Sequence, residues 1–324
     1  MVGDALVTPI HKKGPKNLIN NYRPVSLTSI ISKINEHIVC SSIMNHLDTH
    51  NILDPDQHGF RKGLSTESQL IAAIHDWAGT INSRSQTDVA FLDFSKAFDS
   101  VPHQRLLEKL RFYGISGNTN RIIASMLQNR RQRVILNGCK SSWVPVRSGV
   151  PQGTVIGPIL FLVYINDIRE GISSKMRLFA DDSIIYREIK SEADHQILMN
   201  DLKTLQEWSN KWQMIFKPEK CFIMNITLKH NPSLFTYSMS GIPLEVVKSW
   251  TYLGAVIDNK LTWNEHCDHV RKKALASLNL IQRTLHAAPR KCKELAYQTL
   301  VRPRLEYASA AWSPYTLGNK TRLE

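Results

Sequence analysis

No stretch of the chain is apolar enough to cross a bilayer. The longest apolar run, Val155 to Ile165, falls far short of the roughly 20 residues a spanning helix needs. The opening, Met1-Val2-Gly3-Asp4, lacks the apolar block of a signal peptide. Cysteine is scarce and odd in number: Cys40, Cys139, Cys221, Cys267 and Cys292 are scattered, with no pair at zinc-ligand or redox spacing. His266 and His269 bracket Cys267, yet no second half of a metal motif follows. Nor is there an internal repeat or a Gly/Ser linker. These absences argue against membrane insertion, signal-directed secretion, a disulfide scaffold and structural zinc. The expectation is an intracellular protein with free thiols in a reducing compartment, nucleus or cytoplasm left open.

What remains is an ordinary globular composition. Of the 324 residues 42% are hydrophobic and 21% charged, enough for a large core shared between two or three lobes. Acid is the charge in short supply, 28 Asp+Glu against 41 Lys+Arg, so the formal net charge is +13. The excess is concentrated: residues 259–324 hold twelve Lys+Arg and five Asp+Glu, a local +7. A solvated basic face would account for that, and so would a surface made for a polyanion; charge alone does not choose.

Hydrophobic spacing predicts the elements. A strand and a basic loop open the chain over 6–21, followed by a helix over 29–47 with Ile30, Ile34, Ile38, Ile43 and Leu47 near helical spacing. A second helix, 65–82, starts at the cap candidates Ser65 and Thr66 and turns Leu70, Ile74 and Trp77 to one side. Val89-Ala90-Phe91-Leu92 reads as a central strand covered on both faces and closed by Asp93. Helices are expected over 102–113, with Pro102 in the first turn and Gly114 as the stop, and over 118–129. Arg133–Leu136 and Ser142–Val146 flank Asn137-Gly138 as a hairpin. Thr154–Ile168, apolar nearly all round, reads as a buried helix. Met176–Ala180 and Ser183–Tyr186 form a second hairpin with Asp181-Asp182 at its tip. A long amphipathic helix, 191–212, carries Leu198, Leu202, Leu205, Trp208 and Trp212 on one stripe, with Ser191 and Asp194 as a capping box. Short strands are expected at 214–216, 222–226, 244–247 and 252–257, then helices over 263–285 and 290–305. The order in the middle of the chain approaches a split βαβ plan. That is an α+β fold whose antiparallel sheet carries helices on one face.

Asp93 ends a buried strand and Asp181-Asp182 tip an apolar hairpin. Carboxylates brought together at strand ends repel unless a cation lies between them, and hard oxygen donors suit Mg2+. Two ions about 3.5–4 Å apart clamp the attacking and leaving oxygens of an in-line displacement. Taken singly, Asp181-Asp182 is more readily a turn, and Asp93 more readily a helix cap, than a metal site. The surroundings narrow the choice. Phe91-Leu92-Asp93-Phe94-Ser95-Lys96-Ala97-Phe98-Asp99, Ser148-Gly149-Val150-Pro151-Gln152-Gly153 and Phe179-Ala180-Asp181-Asp182 follow one another in this order. Before them come Ile10-His11-Lys12-Lys13-Gly14, Tyr22-Arg23-Pro24-Val25-Ser26-Leu27 and His58-Gly59-Phe60-Arg61-Lys62-Gly63; after Gly153 comes a helix from Gly157-Pro158 to Asn166-Asp167-Ile168. Across nearly the whole chain, these blocks resemble the reverse transcriptases of non-LTR retrotransposons of the LINE, jockey-like kind.

The resemblance implies a right-hand polymerase fold: fingers over 1–86 and 119–146, palm over 87–118 and 147–257, and a helical thumb over 258–324 that the chain's end cuts short. It implies an RNA-directed DNA polymerase, a nucleotidyltransferase adding dNTPs to the 3′-hydroxyl of a DNA primer on an RNA template. The family's catalytic and metal acids map onto Asp93, Asp181 and Asp182, for two Mg2+ ions with Mn2+ as a substitute. Arg23 and Lys12 map onto the triphosphate-gripping residues, where Arg offers a planar fork and Lys a point charge. Lys13 leaves that lysine ambiguous by one position. Phe98 matches the sugar gate, and Lys96 and Ala97 the backbone facing the phosphates. Gln152 matches the residue along the nascent base pair, with Gly149 and Gly153 suited to close approach of the substrate. Lys220 matches the general acid for pyrophosphate, with Lys217 its rival, because this chain has Gln213-Met214 and Lys217 where relatives usually carry Gly-Leu and Asn. Tyr252-Leu253-Gly254 resembles the primer-grip turn, and the basic tail would track the duplex by its phosphates. The endonuclease that family members carry upstream has no counterpart in the sequence. An inactive relic that binds nucleic acid without polymerising is the alternative. The intact set of Asp93, Asp181, Asp182, Gln152, Phe98 and Arg23 weighs against it.

Overall fold

The computed structural model of the protein describes residues 4–128 and 130–324. In chain order its elements open with β1 (Asp4–His11), β2 (Tyr22–Leu27), α1 (Ile30–Thr49), α2 (Thr66–Asn82) and β3 (Gln86–Leu92). Next come α3 (Ala97–Ser100), α4 (His103–Phe112), α5 (Gly117–Leu127), β4 (Arg131–Leu136), β5 (Cys139–Lys140), β6 (Val144–Pro145) and α6 (Ile156–Ile165). Then follow β7 (Lys175–Phe179), β8 (Asp182–Ile189), α7 (Glu192–Trp212), β9 (Phe222–Ile226), β10 (Ser238–Met239), β11 (Ile242–Pro243) and β12 (Glu245–Val246). The chain closes with β13 (Ser249–Tyr252), β14 (Ala255–Asp258), α8 (Asn264–Thr284), α9 (Arg290–Leu300), α10 (Arg302–Glu306), α11 (Ser309–Trp312) and α12 (Leu317–Leu323). Contacts group these into two compact units, one of 1–60, 92–172 and 201–217, the other of 61–91, 173–200 and 218–324.

In the first unit β1 pairs antiparallel with β2 and parallel with β4, and β5 and β6 both return antiparallel onto β4. Asn137 (φ 50°) and Gly138 (φ 81°) take the left-handed conformation that the predicted two-residue turn demands. The return arm is broken, however: β5 starts directly after the turn and β6 rejoins at Val144. α6 is buried in nine of its ten residues, as its all-round apolarity predicts. Burial strands the N–H groups of its first turn, and an acid answers them. Glu36 of α1, 2% exposed, accepts from Val155 N at 2.7 Å and from Ile156 N at 3.3 Å. Glu36 therefore lies on the buried side of α1 with Cys40, Ile43 and Leu47, while Ile30, Ile34 and Ile38 are exposed. This corrects half of the expected stripe. The buried row runs 36-40-43-47, a helical spacing that the charge of Glu36 conceals.

In the second unit a five-stranded sheet has the order β12-β9-β3-β8-β7. β9 is antiparallel to β3 and β7 to β8, whereas the edge strand β12 is parallel to β9. β3 lies at the centre with all seven residues buried, as its apolar run predicts. Val89 and Phe91 join a core with Leu70, Ala73 and Trp77 of α2, the β13–β14 hairpin and α8. The alternate residue Asp88 faces the other way. There His195 of α7 approaches it to 3.2 Å and Tyr237 Oη donates to it at 2.7 Å. Helices thus cover both faces of this sheet, a refinement of the expected one-sided cover that leaves the α+β class intact.

The remaining differences lie mostly at ends. Pro102 is the N-cap of α4 rather than its first residue, and Gly114 (φ 82°) follows the last turn. α5 ends at Leu127; the predicted end at Asn129 lies outside the described residues. At the start of α7, Asp194 accepts from the backbone N–H and the hydroxyl of Ser191, the acid half of the expected capping box. Met214–Phe216 is not a strand: a single bridge joins Phe216 to Phe94. The segment 252–257 is a hairpin, because Leu253 (φ 45°) and Gly254 (φ 84°) turn the chain between β13 and β14. The helix expected over 290–305 breaks at Val301, since Pro303 at the start of α10 lacks the N–H a continuous helix would use. The five cysteines are free thiols, and among the described residues no helix is long and apolar enough to cross a membrane.

A buried imidazole in the second unit sets a pH dependence. His266 of α8 is 1% exposed and its Nδ1 accepts the Val256 N–H at 3.1 Å, so the neutral ring carries its proton on Nε2, which has no hydrogen-bond partner among the described residues. Burial, reinforced by His269 and Lys273, lowers its pKa from 6.5 to about 4. Between those values the unfolded chain binds the extra proton. Stability is therefore full above pH 6.5 and is lost as pH falls toward 4. The expected loss between pH 7 and pH 5 is ~2 kcal/mol, read as a lower urea midpoint. In His266→Leu that part of the pH slope should vanish.

Candidate active site

In the first unit a cleft of about 370 Å³ is walled by the 148–152 loop, Lys96, Asp99, Arg130 and Arg147, with Pro24 and Ser26 contributed by β2. Backbone bonds fasten the loop: Ser26 N donates to Gln152 O at 2.8 Å, Gly149 N to Val101 O at 2.8 Å and Val150 N to Phe98 O at 2.7 Å. Gln152 Nε2 donates to Asp99 Oδ1 at 3.0 Å, and Ser148 Oγ to Asp99 O at 3.0 Å. Asp99, to which the sequence assigns no role, thus orients the expected Gln152. Burial raises the Asp99 pKa against the opposing pull of the Gln152 hydrogen bond and the Lys96 charge. The loop glycines serve a closer neighbour than expected. A Cβ on Gly149 (φ 91°) would come within 2.7 Å of Asp99 O, and one on Gly153 (φ 88°) within 2.9 Å of Ser26 O. The approach they permit here is to the chain's own backbone.

Neither Arg23 nor Lys12 is among the residues walling this cleft. Arg23 is exposed and pairs with Ile10 across the β1–β2 hairpin; alternation along β2 turns it to the face opposite Pro24 and Ser26. Lys12 is exposed just past β1, its N–H bonded to Asn21 O at 2.8 Å. Lys96, left-handed at φ 53°, precedes α3, whose first residue Ala97 is buried. α3 is only four residues long, so its dipole is weaker than a full helix would supply. Phe98 carries its ring stacked on Phe161 of α6, centroids 4.3 Å apart at 16°, and edge-on to Phe60 at 6.2 Å and 85°. Asp93 follows β3 directly. Its carbonyl accepts Lys217 N at 2.8 Å, and Ser95 N donates to Ile215 O at 2.8 Å, which pins the backbone around the carboxylate.

In the second unit Asp181 sits in the turn between β7 and β8, after Ala180 in the left-handed conformation (φ 54°). Asp182 is already strand, paired with Phe179. The expected two-acid tip is therefore one acid in the turn and one on the strand beside it. Tyr252 is 4% exposed and accepts from Gln69 Nε2 at 3.3 Å; burial raises its pKa, and the Asp182 carboxylate adds to the rise. The Leu253-Gly254 turn is held by Tyr307, which no sequence signal marks. Its Oη donates to Leu253 O at 2.9 Å, and its ring lies 3.1 Å from where a Gly254 Cβ would stand. Lys220 is exposed at the end of a short helical turn, Pro218–Lys220, and Lys217 is exposed as well.

Asp182 is exposed and Asp93 and Asp181 are half-buried. Among the described residues no three His, Cys, Asp or Glu side chains are gathered into a cage for a metal ion. Each carboxylate supplies hard oxygens, the donor type of a divalent cation that keeps waters and takes further ligands from substrate phosphates.

Residues 10–257 match the family described as reverse transcriptase (RNA-dependent DNA polymerase). The chain is 26% identical to the probable RNA-directed DNA polymerase from transposon BS of Drosophila melanogaster, over 99% of this chain and 37% of that protein. It is 27% identical to the RNA-directed DNA polymerase from mobile element jockey of the same species, over 94% of this chain and 34% of that protein. It thus spans about a third of the length of these curated relatives. Telomerase from Candida tropicalis in complex with a TWJ fragment of telomeric RNA superposes with a TM-score of 0.56 at 11% identity, over 96% of this chain and 54% of that one. Apo telomerase from the same organism, truncated from its C-terminal domain, gives 0.54 at 12%, over 79% and 53%. At that identity the structures speak to the fold alone, a right-hand polymerase of the α+β class. The family as a whole requires a divalent metal. With the match running over most of its length, through every acid motif described above, the chain belongs to the reverse transcriptase (RNA-dependent DNA polymerase) family.

Proposed function

We propose that the chain is the polymerase core of a mobile element, an RNA-directed DNA polymerase that adds dNTPs to the 3′-hydroxyl of a DNA primer along an RNA template. The reading is carried by the family match over residues 10–257, which spans Asp93 directly after β3 and, separately, Asp181 and Asp182 at the start of β8. Asp93, Asp181 and Asp182 would hold two Mg2+ ions, for which Mn2+ can substitute. Bound there, such ions would supply positive charge to the 3′-hydroxyl oxygen and the triphosphate. The reaction forms a bond from the primer 3′-oxygen to the α-phosphorus and breaks the bond to pyrophosphate.

The chain's own residues position and protonate. Lys220, with Lys217 as the alternative, gives a proton to the departing pyrophosphate. Arg23 and Lys12, or Lys13, grip the triphosphate from the β1–β2 hairpin, and Lys96 with the Ala97 N–H completes that grip. The Phe98 ring excludes a 2′-hydroxyl. Gln152, oriented by Asp99, lies along the nascent base pair with Gly153 beside it. Tyr252, Leu253 and Gly254 hold the primer end, and the basic 258–324 segment follows the duplex as a thumb. Fingers over 1–86 and 119–146 and palm over 87–118 and 147–257 complete the hand, and an endonuclease is a further partner of the element.

Primer extension on an RNA template with dNTPs and Mg2+ tests the proposal. DNA synthesis by the parent and none by Asp181→Asn/Asp182→Asn is the expected result. A folded parent that binds an RNA–DNA duplex yet makes no DNA would overturn the activity and leave a nucleic-acid-binding relic of the same fold.

A further inference from the structure

We infer that Phe60 is a second determinant of sugar selectivity, a positioning residue that sets the tilt of the Phe98 ring. The inference rests on the reading of Phe98 as the sugar gate. A gate of this kind works by a clash, and a clash discriminates only if the ring cannot move out of the way. α6 supplies one support: Phe161, 0% exposed, stacks on Phe98 with centroids 4.3 Å apart at 16°. Stacked rings slide and rock easily, because offset-parallel arrangements lie close in energy. Phe60 opposes that motion. It meets Phe98 at 85° with centroids 6.2 Å apart, the edge-to-face geometry in which one ring's positive rim meets the other's negative face. Phe98 is held by one ring parallel to it and one perpendicular.

Two observations separate Phe60 from an ordinary core or loop residue. It is 51% exposed, so hydrophobic burial does not explain its place. Its backbone is left-handed at φ 56°, a conformation that a bulky residue keeps only when its surroundings enforce it. The enforcement is visible one turn earlier, where buried Gln57 accepts the Gly59 N–H through Oε1 at 2.8 Å. Phe60 stays half-exposed in that backbone with its ring against Phe98.

The test is the preference for dCTP over CTP opposite a template guanine. Phe60→Ala should lower it roughly three- to tenfold, through a lower KM and faster insertion for CTP, with kcat for dCTP changed by less than about twofold. Phe60→Tyr should keep the parent preference. Phe98→Ala should lower it further, and adding Phe60→Ala to Phe98→Ala should change nothing more, since no ring is left to position. The same ratio, read as equilibrium affinities of dCTP and CTP on a dideoxy-terminated primer, requires no turnover. Unchanged selectivity in Phe60→Ala beside relaxed selectivity in Phe98→Ala would overturn the role of Phe60. Unchanged selectivity in both would overturn the gate itself. Additive losses in the double variant would make Phe60 an independent contact, and the positioning role would fall.

Discussion

Asp93→Asn is expected to abolish DNA synthesis, with single-turnover extension falling about a thousandfold or more, while thermal stability and affinity for an RNA–DNA duplex stay near those of the parent. The substitution keeps the volume of the side chain and one of its oxygens, so what it removes is charge. Nucleotidyl transfer asks the protein for positioned charge above all, because the reacting phosphate supplies the rest of the chemistry. The backbone has no room to compensate. β3 is buried along its whole length, and the residues after it are tied down through Lys217 N to Asp93 O and Ser95 N to Ile215 O. Asp93→Glu separates charge from position: it retains the carboxylate and displaces it by one methylene. A comparable loss in both variants would identify a site that needs the charge at one place. Extension by Asp93→Asn within about tenfold of the parent would remove Asp93 from the reacting centre.

What could be read from the sequence was whatever the chain signals locally. The Val89–Leu92 run announces a strand buried on both faces, Asn137-Gly138 announces a turn, and the all-round apolarity of α6 announces its burial. The misses share one cause, a long-range partner that no local pattern reveals. Glu36 looks like a solvent residue until the buried first turn of α6 is set beside it. Spacing alone runs a strand through Leu253-Gly254, because Leu253, at φ 45°, stands where Asn or Gly would advertise the turn; the resemblance marks that turn, and Tyr307 holds it from far along the chain. The candidate site divides in the same way. Motif residues such as Gln152 and Phe98 are marked by the resemblance; Asp99, which touches the first, and Phe60 and Phe161, which bracket the second, came only with the fold. Arg23 is a subtler case. Its motif was legible, but which face of β2 it occupies depends on register, and register places Pro24 and Ser26 at the cleft instead.

The largest effect on stability is expected at a residue with no part in the chemistry. Lys109 of α4 is 3% exposed, and its Nζ donates to Tyr164 O and to Asp167 Oδ1, both at 2.5 Å. It also stands 3.7 Å from the centroid of the Trp212 ring, while Trp208 Nε1 donates to the same Asp167 oxygen at 2.8 Å. Burial lowers the Lys109 pKa from 10.5 to about 8 against the pull of Asp167, so the ammonium is still charged at neutral pH. One cation thus joins α4, α6 and α7 in the first unit. Lys109→Met fills the same space but leaves the Asp167 carboxylate without its counter-ion, and the expected loss is about 3–5 kcal/mol. Lys109→Met/Asp167→Leu removes both charges and should recover most of it, because the desolvation of the pair is then avoided as well. Urea unfolding of the parent, both single variants and the double variant closes the cycle. If Lys109→Met unfolds within about 1 kcal/mol of the parent, the rings carry the junction and the ion pair does not. If the double variant is as weak as the single, the loss lies in the packing of Trp208 and Trp212 rather than in the orphaned carboxylate.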